Sequence, residues 1–283
     1  MGNTAGCMIW RISSAEFRQW LRNSRLIILA VMAVFIHVQV VAPLAECADL
    51  MGEPVSVLEG FIALSNSGVV LLVLPLLFLV LLADFPQKSG IHLFYQIRCE
   101  KKIWIAGQVL FAVKASLFVV GVLFWITCLM MMGCGTWQMG FSDAMTHFTS
   151  AYPDRTGDYV VELVPGNLYQ QMSLPEALVH SFFLLLLHFI VIAMILLAAS
   201  LCNQKYAGVL INAFLLIMGV VFMEVKMKGM WLFPITHIVP WVHYEEYLSE
   251  MVFPMWGSYV YLAAGSIGLI AVSLIVSRRY RVL

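Results

Sequence analysis

Charge is what this sequence has least of. Only 11% of its 283 residues are Asp, Glu, Lys or Arg, and the two signs cancel to a formal net charge of zero. A soluble domain carries roughly 25%, so an ordinary water-facing surface is excluded. A neutral chain also lacks the basic footprint of a nucleic-acid binder. No Gly-x-x-x-x-Gly-Lys-Ser/Thr loop occurs, so no nucleotide phosphate is cradled by that route and any ATP is expected on another subunit. There is no His-Glu-x-x-His pattern, no Ser-His-Asp order and no paired catalytic carboxylates. The chain is therefore expected to be non-catalytic and to bind no cofactor or metal of its own. The six cysteines, Cys7, Cys47, Cys99, Cys128, Cys134 and Cys202, show no paired metal spacing. Most read as inert small hydrophobes, although Cys47 and Cys134 fall on one side of the topology below, where a bridge is open to them. Met1-Gly2 lacks the Ser or Thr of a myristoylation signal. No small-residue cleavage pattern follows the first apolar run, so no signal peptide is expected. Internal repeats and low-complexity segments are absent too.

What is abundant is apolar sequence, 62% of the chain. It falls in runs that reach or approach the ~20 residues needed to cross ~30 Å of hydrocarbon. Six spans are expected, near 26–44, 61–83, 103–132, 177–201, 206–223 and 259–276, in one all-α membrane domain covering 1–283. Lys and Arg then sort by side. Arg11, Arg18, Arg22, Arg25, Lys88, Arg98, Lys101, Lys102, Lys205, Arg278, Arg279 and Arg281 fall on one side, against Arg155, Lys226 and Lys228 on the other. By the positive-inside rule both termini are cytoplasmic.

Residues 9–25 precede the first span. Ser13 and Glu16 have capping-box spacing, with Ile12 and Phe17 placed as a hydrophobic staple. Phe17, Trp20 and Leu21 share an apolar face beside Arg18 and Arg22. That pattern suits a helix lying in the headgroup region against membrane lipid; a helix packed on a partner gives the same pattern. On the outer side, 133–175 carries Pro153, Gly157, Pro165 and Gly166 and reads as a folded extracellular loop. Ser173-Leu174-Pro175-Glu176 reads as an N-cap followed by Pro and an acid in the first helical turn. Residues 224–256 are too apolar for a plain loop and read as short broken helices dipping back into the outer interface before the sixth span, where Trp and Tyr gather.

Lys114 is the sharpest ionisable residue inside a span, and such residues mark function by default. Yet Ala115–Met132 is 18 residues without charge, about 27 Å of helix, so Lys114 can also sit at the boundary and snorkel. His180 and His188 share a helix face about 12 Å apart, too far to chelate one ion, and interhelical hydrogen bonding suits them better. His243-Tyr244-Glu245-Glu246 has the paired glutamates of some intramembrane proteases, but Glu250 stands where those need arginine. Ala264 and Gly268 form a small-xxx-small pair suited to close helix packing, and Pro75 is placed to kink the second span.

The most varied stretch between two spans is 85–102. Pro86 cannot continue a helix, and Ser89-Gly90 can open a short one. Ile91, Phe94 and Tyr95 then share a face, followed by Arg98, Lys101 and Lys102. A solvated loop is the plain alternative to a partner-binding handle. Asp84-Phe85-Pro86, followed by Tyr95-Gln96-Ile97-Arg98, Lys101-Lys102 and Trp104-Ile105-Ala106-Gly107-Gln108, resembles the coupling segment of bacterial type-2 ABC exporter permeases. Cys99-Glu100 stands where that group has a small residue or glycine. The resemblance extends over the architecture of nearly the whole chain. It implies a permease of the bacterial plasma membrane that pairs with a second copy or a sister permease and sits on an ABC ATPase subunit holding ATP and Mg. Residues 87–102 would be the coupling helix, with Ile91, Phe94 and Tyr95 as anchors and Arg98, Lys101 and Lys102 as charge partners. Ser13, Glu16, Phe17 and Trp20 would belong to the interfacial helix that transmits motion, and cargo would pass along the first, second and fifth spans. Apolar spans suit an amphipathic cargo such as an antimicrobial peptide. An ion-coupled transporter or channel, and a membrane sensor without transport, are the other classes open to the composition.

Overall fold

The computed structural model describes residues 2–86, 99–245 and 250–279, and side chains within 5–86, 99–245 and 250–277. The architecture is all-α, with five helices long and apolar enough to cross a membrane and one bent helix pair of the same composition among the described residues. It is a multi-pass membrane protein. The first helix, α1, is Gly2–Trp20. It starts well before Ser13, so Ser13 and Glu16 lie in its interior and form no capping box. Their face meets a later helix instead, α5 (Lys101–Met131). Gly107 of α5 admits Ile12, and an added Cβ there would stand 2.7 Å from Ile12 Cγ2. Gln108 Nε2 donates to Glu16 Oε1 at 2.7 Å. Trp20 is buried edge-on to Phe111 and Phe118, and Phe17 is edge-on to Phe118. That apolar face packs on the chain's own third long helix.

The first expected span is one helix of 28 residues, α2 (Ser24–Met51), continuing past its predicted end. Pro43 does not break it. A single wide turn at His37–Val41, with the Ala42 N–H bonded to the His37 carbonyl, absorbs the clash a proline ring makes with the preceding turn. Gly52 then ends the helix in the left-handed conformation, at φ 70°.

The second expected span is two helices, α3 (Val57–Ala63) and α4 (Gly68–Leu81), bent by 77°. Pro75 lies inside α4 and is not the break. The break is Leu64-Ser65-Asn66-Ser67, where the side chains of Asn66 and Ser67 bond away from the helix. Asn66 Nδ2 donates to the Leu163 carbonyl at 2.7 Å, and Ser67 Oγ lies 2.9 Å from the Tyr159 hydroxyl. All of α3 is buried. Glu59 caps it and accepts from Ser56 N at 2.9 Å, Ser142 N at 2.6 Å and Ser142 Oγ at 2.9 Å.

Residues 133–175 form a folded cap. Strands β1 (Val55–Ser56) and β2 (Gly135–Thr136) pair in parallel. Short helices α6 (Asp143–Ala151), α7 (Tyr159–Leu163) and α8 (Gly166–Tyr169) bury Phe148, Leu163 and Leu168 beneath them. Arg155 ties the cap to α2 through Glu46 at 3.0 Å and holds Asp158 at 2.6 Å. Cys47 and Cys134 are both free thiols and do not bridge. Cys47 points instead at Met145 Sδ, 3.6 Å away.

Helix α9 (Leu174–Leu201) is the most buried of the long helices and packs against α3, α4 and α5. It opens with the expected cap: Ser173 N donates to Glu176 Oε2 at 2.9 Å. It also carries α10 (Lys205–Glu224) and α11 (Met255–Arg279). Between these two, 228–243 folds into three 3-10 turns. Ile235, Ile238 and Val239 are fully buried there. Gly219 of α10 makes the room, since a Cβ would collide with Ile235 and Phe233. Ala264 and Gly268 are exposed on α11, so their small-residue pair does no packing among the described residues.

Candidate functional site at the end of the bundle that carries Asp84

Asp84 closes the second apolar segment. Its Oδ2 lies 2.6 Å from an Arg25 guanidinium nitrogen at the start of α2. Its Oδ1 lies 3.0 Å from Lys205 Nζ at the start of α10. One carboxylate therefore joins the ends of α2, α4 and α10. Partial desolvation pushes its pKa upward, but the Lys205 hydrogen bond and the charges of Lys205 and Arg25 outweigh it and hold the carboxyl below its usual range. Next to it Phe85 is buried and stacked on Phe111 of α5, centroids 5.1 Å apart. Trp20 Nε1 of α1 donates to the Leu81 carbonyl at 3.4 Å. The far foot of the same stretch is held as well. Cys99 lies 3.2 Å from Met8 Sδ of α1, and Lys101 Nζ donates to the Ser277 carbonyl at the end of α11 at 2.9 Å. A cation on the last carbonyls of a helix complements its dipole.

The expected handle is thus anchored at both ends. Ile91, Phe94, Tyr95 and Arg98 lie outside the described residues. Lys101 is placed on α11, and Lys102 is exposed at the start of α5. Ser13, Glu16, Phe17 and Trp20 lie on the part of α1 that packs on α5. Lys114 stands against α1. It is half-buried, donates to Ser14 Oγ at 3.0 Å and lies 3.5 Å above the Trp10 ring. It is a cation–π contact holding α1, not a charge in the bundle centre. The Arg25–Asp84–Lys205 cluster was visible only as separate charges at segment ends. The signal was one acid among cations at three ends that must meet.

At the opposite end of α11 lies a second polar cluster. His180 Nδ1 is 2.8 Å from the Tyr259 hydroxyl, an interhelical hydrogen bond of the kind the spacing suggested. His188, 2% exposed, has no hydrogen-bond partner on either ring nitrogen among the described residues. His237 and His243 both meet Ser258. Among the described residues no group of three His, Cys, Asp or Glu is placed to hold a metal. A cavity of about 690 Å³ opens between α9, α10 and α11, walled by apolar side chains such as Ile195, Ile211, Leu215, Leu262 and Leu269. Comparison with protein-family models, curated proteins and solved structures finds no match.

Proposed function

We propose that this chain is the membrane-spanning, non-catalytic permease subunit of an ATP-driven exporter of the type-2 ABC kind. In this reading α2, the bent pair α3–α4, α5, α9, α10 and α11 are six spans. Both termini and residues 85–102 face the cytoplasm of a bacterial cell. A separate ABC ATPase subunit, holding ATP and Mg, docks on 87–102. A second copy or a sister permease completes the path.

One observation carries this reading. The flanks of the 85–102 stretch are anchored by Asp84, Phe85, Cys99 and Lys101 to α2, α10, α5, α1 and α11. A force applied to it is delivered to several long helices at once, which is what a permease without its own ATPase requires. The apolar cavity between α9, α10 and α11 and the scarcity of buried charge favour an amphipathic or hydrophobic cargo over an ion. The placement of Lys114 under Trp10 weighs against an ion-coupled pathway through α5.

The test is copurification of the full chain with the ATPase encoded nearest to it. A stable complex that Phe94→Ala/Tyr95→Ala weakens, with the permease still folded, supports the proposal. Failure to retain any ATPase in mild detergent overturns it.

A further inference from the structure

Four short contacts converge on three side chains near the first turn of α11. His237 Nε2 lies 2.9 Å from the Trp231 carbonyl oxygen, and its Nδ1 lies 2.8 Å from Ser258 Oγ. His243 Nε2 lies 2.7 Å from the same Oγ, and its Nδ1 lies 2.9 Å from the Val239 carbonyl oxygen. A carbonyl oxygen only accepts, so the ring nitrogen facing each carbonyl carries a proton. A neutral imidazole has one N–H. The two nitrogens facing Ser258 are then bare acceptors, and one hydroxyl has one proton to give them. Three protons serve four contacts. The fourth contact sets lone pair against lone pair, and the three residues are at most 1% exposed, so water does not relieve it. Reversing either tautomer only moves the shortage to a carbonyl.

Aromatic rings surround the pair. His237 is stacked on Tyr261, centroids 4.1 Å apart, with Phe253 at 5.4 Å and Trp231 at 5.5 Å. Aromatic faces attract a cation within about 6 Å of the centroid. The titratable groups acting on the pair from α9 are His180 and His188. From α11 comes Tyr261, whose hydroxyl donates to the Leu232 carbonyl, while Tyr259 is engaged by His180. Tyr244 directly follows His243. No carboxylate among the described residues is ion-paired with His237 or His243.

We propose that His237, Ser258 and His243 form a binding site for one proton. With the proton on His237, Nδ1–H donates to Ser258 Oγ and the Ser258 hydroxyl donates to His243 Nε2. All four contacts then have their hydrogen. A second proton would place two cations on one hydroxyl and leave that hydroxyl without an acceptor, so the capacity is one. Burial pushes both rings below the ordinary histidine range, His243 to about 4, so the proton arrives as the pH falls below neutral. It closes the junction between the 3-10 turns and α11. The site stands independently of the exporter reading.

The test is imidazole nitrogen NMR on the full chain, ¹⁵N-labelled at histidine, in detergent from about pH 8 to about pH 4. At the upper pH His237 should carry its proton on Nε2 and His243 on Nδ1. On acidification one of the two rings, His237, should become doubly protonated while the protein stays folded. Ser258→Thr should keep that midpoint. Ser258→Ala, with no hydroxyl to share, should lower proton affinity at least about tenfold, one pH unit. A neutral-pH proton on the Ser258 side of either ring overturns the proposal without any variant. Protonation of both rings together, or an unchanged midpoint in a folded Ser258→Ala protein, overturns it equally.

Discussion

Asp84 and Lys205 meet at 3.0 Å across 121 residues of sequence, and the same carboxylate holds Arg25 at 2.6 Å. The cluster is partly solvated, with Asp84 46% and Lys205 36% exposed at the side chain. Such pairs contribute about 0–1 kcal/mol, too little for stability to be their main consequence. Under the proposed function their position, one residue before the buried Phe85, gives them a mechanical one. Asp84→Asn should leave thermal stability nearly unchanged but reduce substrate-stimulated ATP hydrolysis by the assembled complex several-fold. An Asn variant that couples as well as wild type would remove the cluster from the mechanism.

The acid side of the same cluster has a definite sign. Asp84 is held below its ordinary pKa by Lys205 and Arg25. Its contribution is therefore present above the unfolded value, about 3.9, and is lost as the pH falls through the lower folded value. Mildly acidic buffers should leave the Arg25–Asp84–Lys205 contacts intact. High salt should weaken them, because charges this exposed are screened. A double-mutant cycle between Asp84→Asn and Lys205→Met, run at low and high salt, measures this. A coupling that ignores salt would contradict the exposed geometry.

Glu59 is the counterpart case, where burial makes the interaction strong. It is fully buried and accepts three hydrogen bonds, from Ser56 N, Ser142 N and Ser142 Oγ. Removing it leaves buried donors unpaired, at about 1–3 kcal/mol per group. Glu59→Ala should destabilise the protein by about 3 kcal/mol or more and loosen the 133–175 cap, read as new protease cleavage there. Glu59→Gln, which keeps shape and one acceptor oxygen, should cost less. Equal stability of the Ala variant and wild type would sink this account.

Long apolar runs made the five continuous long helices legible, because nothing inside 101–131 or 174–201 competes with a helix. What escaped was settled by polar side chains whose partners lie far away in sequence. Asn66 and Ser67 sit between apolar runs and read as part of a span until Leu163 and Tyr159 are seen to take their hydrogen bonds. The Ser13–Glu16 spacing matched a cap, but the helix already ran from Gly2, and α5 supplied Gln108 as the partner of Glu16. His237, Ser258 and His243 carry no spacing signal because two 3-10 turns and a helix start bring them together. The 85–102 stretch was the part of the candidate site that stood out in the sequence. The cluster that fixes its near end did not, since ion-pair partners cannot be matched by counting charges.

Lys114 distinguishes a tether from a path. Its ammonium lies on the Trp10 ring and on Ser14, both in α1. An exposed cation–π contact is worth about 0.5–1 kcal/mol. Lys114→Met should therefore cost no more than that and leave transport largely intact, while Trp10→Ala should mimic it. Loss of transport in Lys114→Met alone, with Trp10→Ala unaffected, would return Lys114 to the list of path residues and favour an ion-coupled mechanism.

Gly107 shows how closely α1 is bound to the bundle. Its missing side chain lets Ile12 approach so near that a Cβ would stand 2.7 Å from Ile12 Cγ2 and 3.0 Å from its Cβ. Those atoms are branched and close to the backbone, so they cannot swing aside as a long side chain would. Overpacking of this kind costs about 1–3 kcal/mol. Gly107→Val should lift α1 off α5, separate Gln108 from Glu16 and expose Trp20, seen as a red shift in tryptophan emission. Ile12→Ala in the same chain should restore part of the fit, because it removes the atoms that collide. If Gly107→Val alone leaves Trp20 buried and the stability unchanged, α1 is not clamped at this point. The route from α1 through Trp20 to the Leu81 carbonyl would then lose its anchor.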